Sequence, residues 1–160
     1  MIRRSGGLVL LADLAALAAF ALAVTVPVED WKIAGPFGGT ATTITIDPQS
    51  PRTVLAGGRS SLLFQSQDSG ATWVPLDLPK RSLGEVTCIL VDPINSNHYF
   101  VGMLEAFGGG IYETLDQGKT WAAVDAVKGF GVRALAASAS NPNEFVAGTL
   151  HGVMLSADSG

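Results

Sequence analysis

Ser66-Gln67-Asp68-Ser69-Gly70-Ala71-Thr72-Trp73 returns as Thr114-Leu115-Asp116-Gln117-Gly118-Lys119-Thr120-Trp121, and begins a third time as Ser156-Ala157-Asp158-Ser159-Gly160. Each copy ends a longer unit. Ile44-Thr45-Ile46-Asp47-Pro48 and Thr53-Val54-Leu55-Ala56-Gly57 stand ahead of the first. Ile89-Leu90-Val91-Asp92-Pro93 and His98-Tyr99-Phe100-Val101-Gly102 stand ahead of the second. Leu135-Ala136-Ala137-Ser138-Ala139 and Glu144-Phe145-Val146-Ala147-Gly148 stand ahead of the third. The glycines at 57, 102 and 148 are 45 and 46 residues apart. Similarity at a fixed period marks an array of identical supersecondary units.

A unit of about 45 residues has the size of one four-stranded propeller blade. Short apolar, β-branched runs bounded by Gly, Pro, Asp or Ser predict the strands. They fall near 41–46, 53–57, 62–66 and 72–76; near 86–91, 99–103, 110–114 and 120–124; and near 132–137, 144–148 and 152–156. Val86 to Val91 is apolar on both faces apart from Thr87, as expected of a strand covered on both sides. The expected fold is all-β: about two and two-thirds antiparallel four-stranded blades, a partial β-propeller. Residues 24–40 lead in, blade 1 spans 41–84, blade 2 spans 85–131, and 132–160 begin blade 3. Because the third copy breaks off at Gly160, the sequence reads as the first part of a longer protein.

Each residue type in the repeated octapeptide has a physical reason. An aspartate in a tight hairpin accepts hydrogen bonds from loop amides that would otherwise lack partners. Glycine takes the positive φ of the turn. Threonine begins the return strand, and tryptophan lays a large ring beside the turn. The structural set is Ser66, Asp68, Gly70, Thr72 and Trp73; Thr114, Asp116, Gly118, Thr120 and Trp121; and Ser156, Asp158 and Gly160. The pattern S/T-x-D-x-G-x-T-W resembles the Asp-box, or BNR repeat, over residues 40–160.

Ahead of the repeats, Met1 to Gly7 is short and basic, and Leu8 to Val26 is nearly all Leu, Ala and Val. Ala21-Leu22-Ala23 fits a small-x-small cleavage rule, so residues 1–23 read as a helical signal peptide. The rival reading is an uncleaved anchor, disfavoured by Asp13 within the apolar run. Export to the periplasm or the cell exterior follows, with membrane contact only through an uncleaved leader. Cleavage would leave 8 basic and 13 acidic residues. With no Lys/Arg run, that balance excludes nucleic-acid binding. One cysteine, Cys88 in an apolar run, excludes a disulfide scaffold and reads as a small buried hydrophobe. His98 and His151 lack ligand neighbours at metal spacing, so no metal or cofactor is expected. Gly108-Gly109-Gly110 reads as a turn, with no helix after it to cradle a phosphate.

Successive hairpins of a blade emerge at alternate ends. The loops opposite the aspartate hairpins carry Arg59, Lys80, Arg81, Glu105, Phe107, Lys128, Phe130, Arg133 and His151. Cations with a few aromatics suit an anionic or extended partner, a protein or a glycan. The Asp-box resemblance implies that ligands meet this end and that the repeated aspartates serve shape. Sialidases with Asp-boxes add an arginine triad and a tyrosine nucleophile, a pattern absent here. Trp31-Lys32-Ile33-Ala34-Gly35-Pro36-Phe37-Gly38-Gly39 resembles the opening of xyloglucanase-type glycoside hydrolases. Those carry a catalytic aspartate soon after the second strand, where this chain has Gly58-Arg59-Ser60-Ser61. The looser repeat is similar to sortilin-type and photosystem II stability/assembly factor propellers, which are binding platforms. The expectation is an exported, non-enzymatic interaction propeller with no catalytic residues of its own. The alternative is the N-terminal part of a secreted glycoside hydrolase, sialidase- or xyloglucanase-like.

Overall fold

The computed structural model describes residues 32–36, 38–79 and 84–160. The leader, Trp31, Phe37, Lys80 and Arg81 lie outside them. Within Ile33–Gly160, three antiparallel sheets follow one another along the chain. The first is β1 (Ala41–Ile46), β2 (Val54–Gly58), β3 (Leu63–Ser66) and β4 (Val74–Pro75), in that spatial order. The second is β5 (Glu85–Asp92), β6 (Asn95–Glu105), β7 (Gly108–Thr114) and β8 (Ala122–Ala123), again in order. A 3-10 turn (Asp125–Val127) leads to the third: β9 (Val132–Ala137), β10 (Phe145–Thr149) and β11 (Gly152–Ser156). The fold is all-β, with the sheets as successive blades of a partial β-propeller.

The sheets pack face to face through two apolar layers. Leu55, Leu63 and Leu78 meet Val86, Ile89, Val91, Tyr99, Val101 and Met103 between sheets 1 and 2, with Leu76, Tyr112 and Trp121 against them. Phe100, Ile111 and Val127 meet Val132, Phe145 and Ala147 between sheets 2 and 3. Tyr99 is fully buried, and its hydroxyl accepts a hydrogen bond from Gln65 Nε2 at 3.0 Å across the first layer.

The inner strands β1, β5 and β9 each slip register by one residue, skipping Thr42, Thr87 and Arg133 respectively. A bulge re-aims the skipped side chain. Thr42 Oγ1 donates to the Val86 carbonyl at 2.7 Å, and Thr87 Oγ1 donates to the Val132 carbonyl at 2.6 Å. Each threonine thus ties its sheet to the next. Arg133 holds the corresponding position in sheet 3 and is exposed.

Three sequence expectations need correction. The outer strands are two residues long, not five, because Thr72 and Thr120 give their amides to aspartates and not to the ladder. Strand β6 begins at Asn95, well before 99, because Asp92 caps a two-residue turn through the Ile94 amide. Gly108-Gly109-Gly110 is not a turn but the start of β7, paired with Glu105, Leu104 and Met103. Gly108 and Gly109 have φ of 126° and 140°, a conformation closed to other residues.

A Cβ on Gly57 would lie 2.3 Å from Val86 Cγ1, and one on Gly102 would lie 2.4 Å from Cys88 Sγ and 2.8 Å from Val132 Cγ1. One on Gly148 would meet nothing nearer than 3.5 Å. Gly57→Ala and Gly102→Ala should each lose about 1–3 kcal/mol through overpacking. Gly148→Ala should stay within about 0.5 kcal/mol of the parent, as at a site free of such crowding. Urea melts of the three variants check this; equal losses at all three positions would refute it.

Candidate functional site

The hairpins divide the molecule into two ends. At one end the β3–β4 and β7–β8 hairpins carry the repeated aspartates. Asp68 Oδ1 accepts from the Thr72 amide at 2.8 Å and Oδ2 from the Thr72 hydroxyl at 2.6 Å. Asp116 repeats both bonds with Thr120 at the same distances. Ser66 and Thr114 donate their hydroxyls to the two carboxylates and accept the amides of Gly70 and Gly118. Trp73 and Trp121 are half-buried, not fully enclosed, and donate Nε1 to the carbonyls of Gly70 and Gly118 at 3.1 Å. The turn uses two successive left-handed residues: Ser69 with Gly70, Gln117 with Gly118 and Ser159 with Gly160.

Each of these hairpins is stitched to the neighbouring one in its sheet. The amides of Ser69, Gln117 and Ser159 donate to the carbonyls of Arg52, Asn97 and Asn143 at 2.9–3.0 Å. Beside the second stitch lies a cluster that sequence reasoning missed. Buried His98 sets Nδ1 3.2 Å from Asp92 and Nε2 3.5 Å from Glu113, under the ring of Phe100. Glu113 follows His98 by fifteen positions and reaches it only through the β6–β7 pairing, so no local signal marks the contact.

Hydrogen bonds from Thr72 and Thr120, then from Ser66 and Thr114, hold the Asp68 and Asp116 carboxyls down at about 2 against an ordinary 3.8. A group so acidic is ionised at neutral pH and has no proton to give. Cys88, expected to be buried, is half-buried, and desolvation pushes its thiol up.

At the other end, the β2–β3, β6–β7 and β10–β11 hairpins come out with the links between sheets. Loops from sheets 2 and 3 converge: the Gly129 amide donates to the Gly109 carbonyl, and the Leu150 amide to the Gly131 carbonyl, both at 2.9 Å. This brings Phe130 against His151, ring centroids 5.2 Å apart at 85°. Phe107 is fully exposed, and Lys128 is exposed. Arg59 lies in the β2–β3 turn, and its backbone bridges to Glu85 at the start of β5 in sheet 2. Glu105 ends β6, close enough to Tyr112 to help burial push that phenol up. Arg133 lies on the bulge of β9. Among the described residues, no cluster of His, Cys, Asp or Glu could hold a metal ion, and no helix is long and apolar enough to cross a membrane.

No family model matches the chain. Over 85 residues it is 28% identical to a probable oligoxyloglucan-reducing end-specific xyloglucanase of Neosartorya fischeri, covering 51% of this chain and 10% of the relative. It thus spans about a tenth of that curated relative's length. Among solved structures it resembles an ancestral GH74 enzyme, with TM-score 0.66 and 20% identity over 77% of this chain and 17% of that one. It also resembles YCF48 bound to D1 peptide, with TM-score 0.58 and 19% identity over 78% of this chain and 38% of that one. Both likenesses speak to the fold alone.

For Asp68 and Asp116 the folded carboxyl is the stronger acid, so their contribution to stability is complete above 3.8 and is lost as pH falls toward 2. Thermal melts from pH 5 to pH 2 should show Tm dropping through that window. In the Asp68→Asn/Asp116→Asn variant Tm should start lower at pH 7 and drop less on acidification. An unchanged acid slope in the variant would count against it.

Proposed function

We propose that this chain is part of an exported, non-enzymatic β-propeller that serves as an interaction platform. In this reading the aspartate hairpins are Asp-boxes that set the blade's shape. The loop end presented by Phe107, Lys128, Phe130 and His151 takes an anionic, extended partner. The observation that carries the reading is the convergence of loops from two sheets. It holds Phe130 against His151 and leaves an exposed aromatic and a cation beside them. Rigid aromatics flanked by cations make contact area at low entropic cost. That a similarly folded propeller is solved with a bound peptide supports a platform role. Export rests on the leader sequence.

The second reading, a portion of a glycoside hydrolase, is favoured by the xyloglucanase relative and the GH74 enzyme of similar fold. Glycosidases generally need two facing carboxylates. Asp68 and Asp116 are engaged within their own hairpins at the far end. The position after β2 carries Arg59 and Ser60.

One experiment separates the two. The chain is titrated with a fluorescent oligoglutamate peptide and, separately, incubated with xyloglucan. The platform reading expects saturable, salt-sensitive peptide binding, weakened about tenfold or more in a Phe130→Ala/Lys128→Ala variant, with no new reducing ends from xyloglucan. Release of reducing ends, abolished by Glu105→Gln, would favour the hydrolase instead.

A further inference from the structure

Gly108, Gly109 and Gly110 open β7, and the link ahead of β9 crosses them backbone against backbone. The Gly129 amide donates to the Gly109 carbonyl, and the Gly131 carbonyl accepts the Leu150 amide from the β10–β11 turn, both at 2.9 Å. A Cβ on Gly108 would lie 2.5 Å from the Gly129 carbonyl oxygen. One on Gly131 would lie 3.0 Å from the Gly108 oxygen, 2.6 Å from Leu104 Cδ1 and 2.9 Å from Leu150 Cδ1. Gly108 and Gly129 also hold φ of 126° and 85°, which other residues rarely adopt. Hairpin, link and turn thus meet along a seam that calls for glycine on both sides.

The fold does not ask for such a seam. At the matching junction of sheets 1 and 2 the turn is built from Arg59, Ser60 and Ser61, and the Ser61 amide donates to the Gly84 carbonyl at 2.9 Å. Glycine loses more conformational freedom on folding than any other residue, so the second junction costs stability that the first avoids. What it gains shows in the sequence neighbours of the seam. Phe107 precedes Gly108, Lys128 precedes Gly129, Phe130 stands between Gly129 and Gly131, and His151 follows Leu150. Each residue assigned to the loop-end site is attached directly to seam backbone.

We propose that Gly129 and Gly131, with Gly108 facing them, are positioning residues of the loop-end site. This role rests on the loop-end reading above and adds that the surface is preformed. The seam fixes Phe107, Lys128, Phe130 and His151 in one arrangement before a partner arrives, so little ordering is left to binding. Such a surface fits a partner that is itself extended beforehand, as an acidic segment is through repulsion of its like charges.

The test takes two variants of the full chain and two readouts: affinity for the fluorescent oligoglutamate peptide, and the imidazole proton resonances of His151, which lie in the ring current of Phe130. Gly131→Ala crowds the seam against two side-chain ends and one carbonyl. Gly129→Ala puts its methyl into open space at an exposed position and disturbs only φ, so it leaves the core intact. Each should weaken peptide binding about tenfold. Each should also move the His151 resonances toward their positions in a Phe130→Leu variant, with the amide resonances of the Asp68 and Asp116 hairpins unmoved. Unchanged affinity or unmoved His151 resonances in Gly129→Ala overturns the positioning role. Shifts that spread to the aspartate hairpins mark a merely structural role and overturn it too. Failure of the parent chain to bind the peptide is a separate result, which refutes the loop-end reading itself.

Discussion

The close approach of the inner strands is the constraint on which the rest depends. Strand β5 lies so near Gly57, and β9 so near Gly102, that no side chain fits at either glycine. The same approach lets a threonine on a one-residue bulge reach the next sheet's backbone at 2.6–2.7 Å. A packing restriction and a polar tie therefore sit side by side on each inner strand and set the spacing between sheets. The apolar layers farther out, around Leu55 and Tyr99 and around Phe100 and Phe145, fill the wedge that this spacing leaves. Hydrophobic burial is non-directional. The bulge and the glycine make it specific.

The aspartate hairpins act at the other extreme, locally. Each carboxylate closes its turn over four residues and, among the described residues, binds no group from another sheet. The adjoining stitch to Arg52, Asn97 or Asn143 also stays within one sheet. Each sheet is thus pinned at the hairpin end by its own sequence. The loop end is freer to differ. The β2–β3 turn passes through Ser60 and Ser61, whereas β6 and β7 extend to a turn at Ala106 and Phe107. Variation sits where a partner would be met, and repetition where the fold is held.

Much of this was legible in the sequence, because a period of about 45 residues and short apolar runs report local structure. The strands of all three sheets fall where those runs lie, with β9 and β11 at the expected bounds. The threonine ties were present as a signal, since Thr42 and Thr87 keep the repeat spacing. Their meaning, though, requires the bulge, which depends on pairing. The shortness of β4 and β8 could not be read. Propensity favours extending Thr-Trp into the strand, and the competing pull of an aspartate four residues back decides otherwise. Contacts between distant residues were equally closed to view. Phe130 lies in the link before β9 and His151 in the β10–β11 turn, and His98 meets Glu113 only across a ladder. Of the loop-end residues named in advance, Phe107, Lys128, Phe130 and His151 gather on converging loops. Arg59 sits in the β2–β3 turn at the same end, bridged through its backbone to β5, and Arg133 sits on the β9 bulge.

Arg133 also shows how a single side chain can alter a repeat without breaking it. Thr42 and Thr87 each satisfy a carbonyl of the next inner strand with a short hydroxyl. A guanidinium at the same bulge is longer and always charged, and in sheet 3 it is exposed. Gly148, beside it, has room for a Cβ where the other two have none. Gly57 and Gly102 are each closed by the following sheet, through Val86 and Val132, and the described residues hold no sheet after the third to close Gly148. What sheets 1 and 2 share is a paired device: the bulge threonine and the glycine beside it both meet the next inner strand.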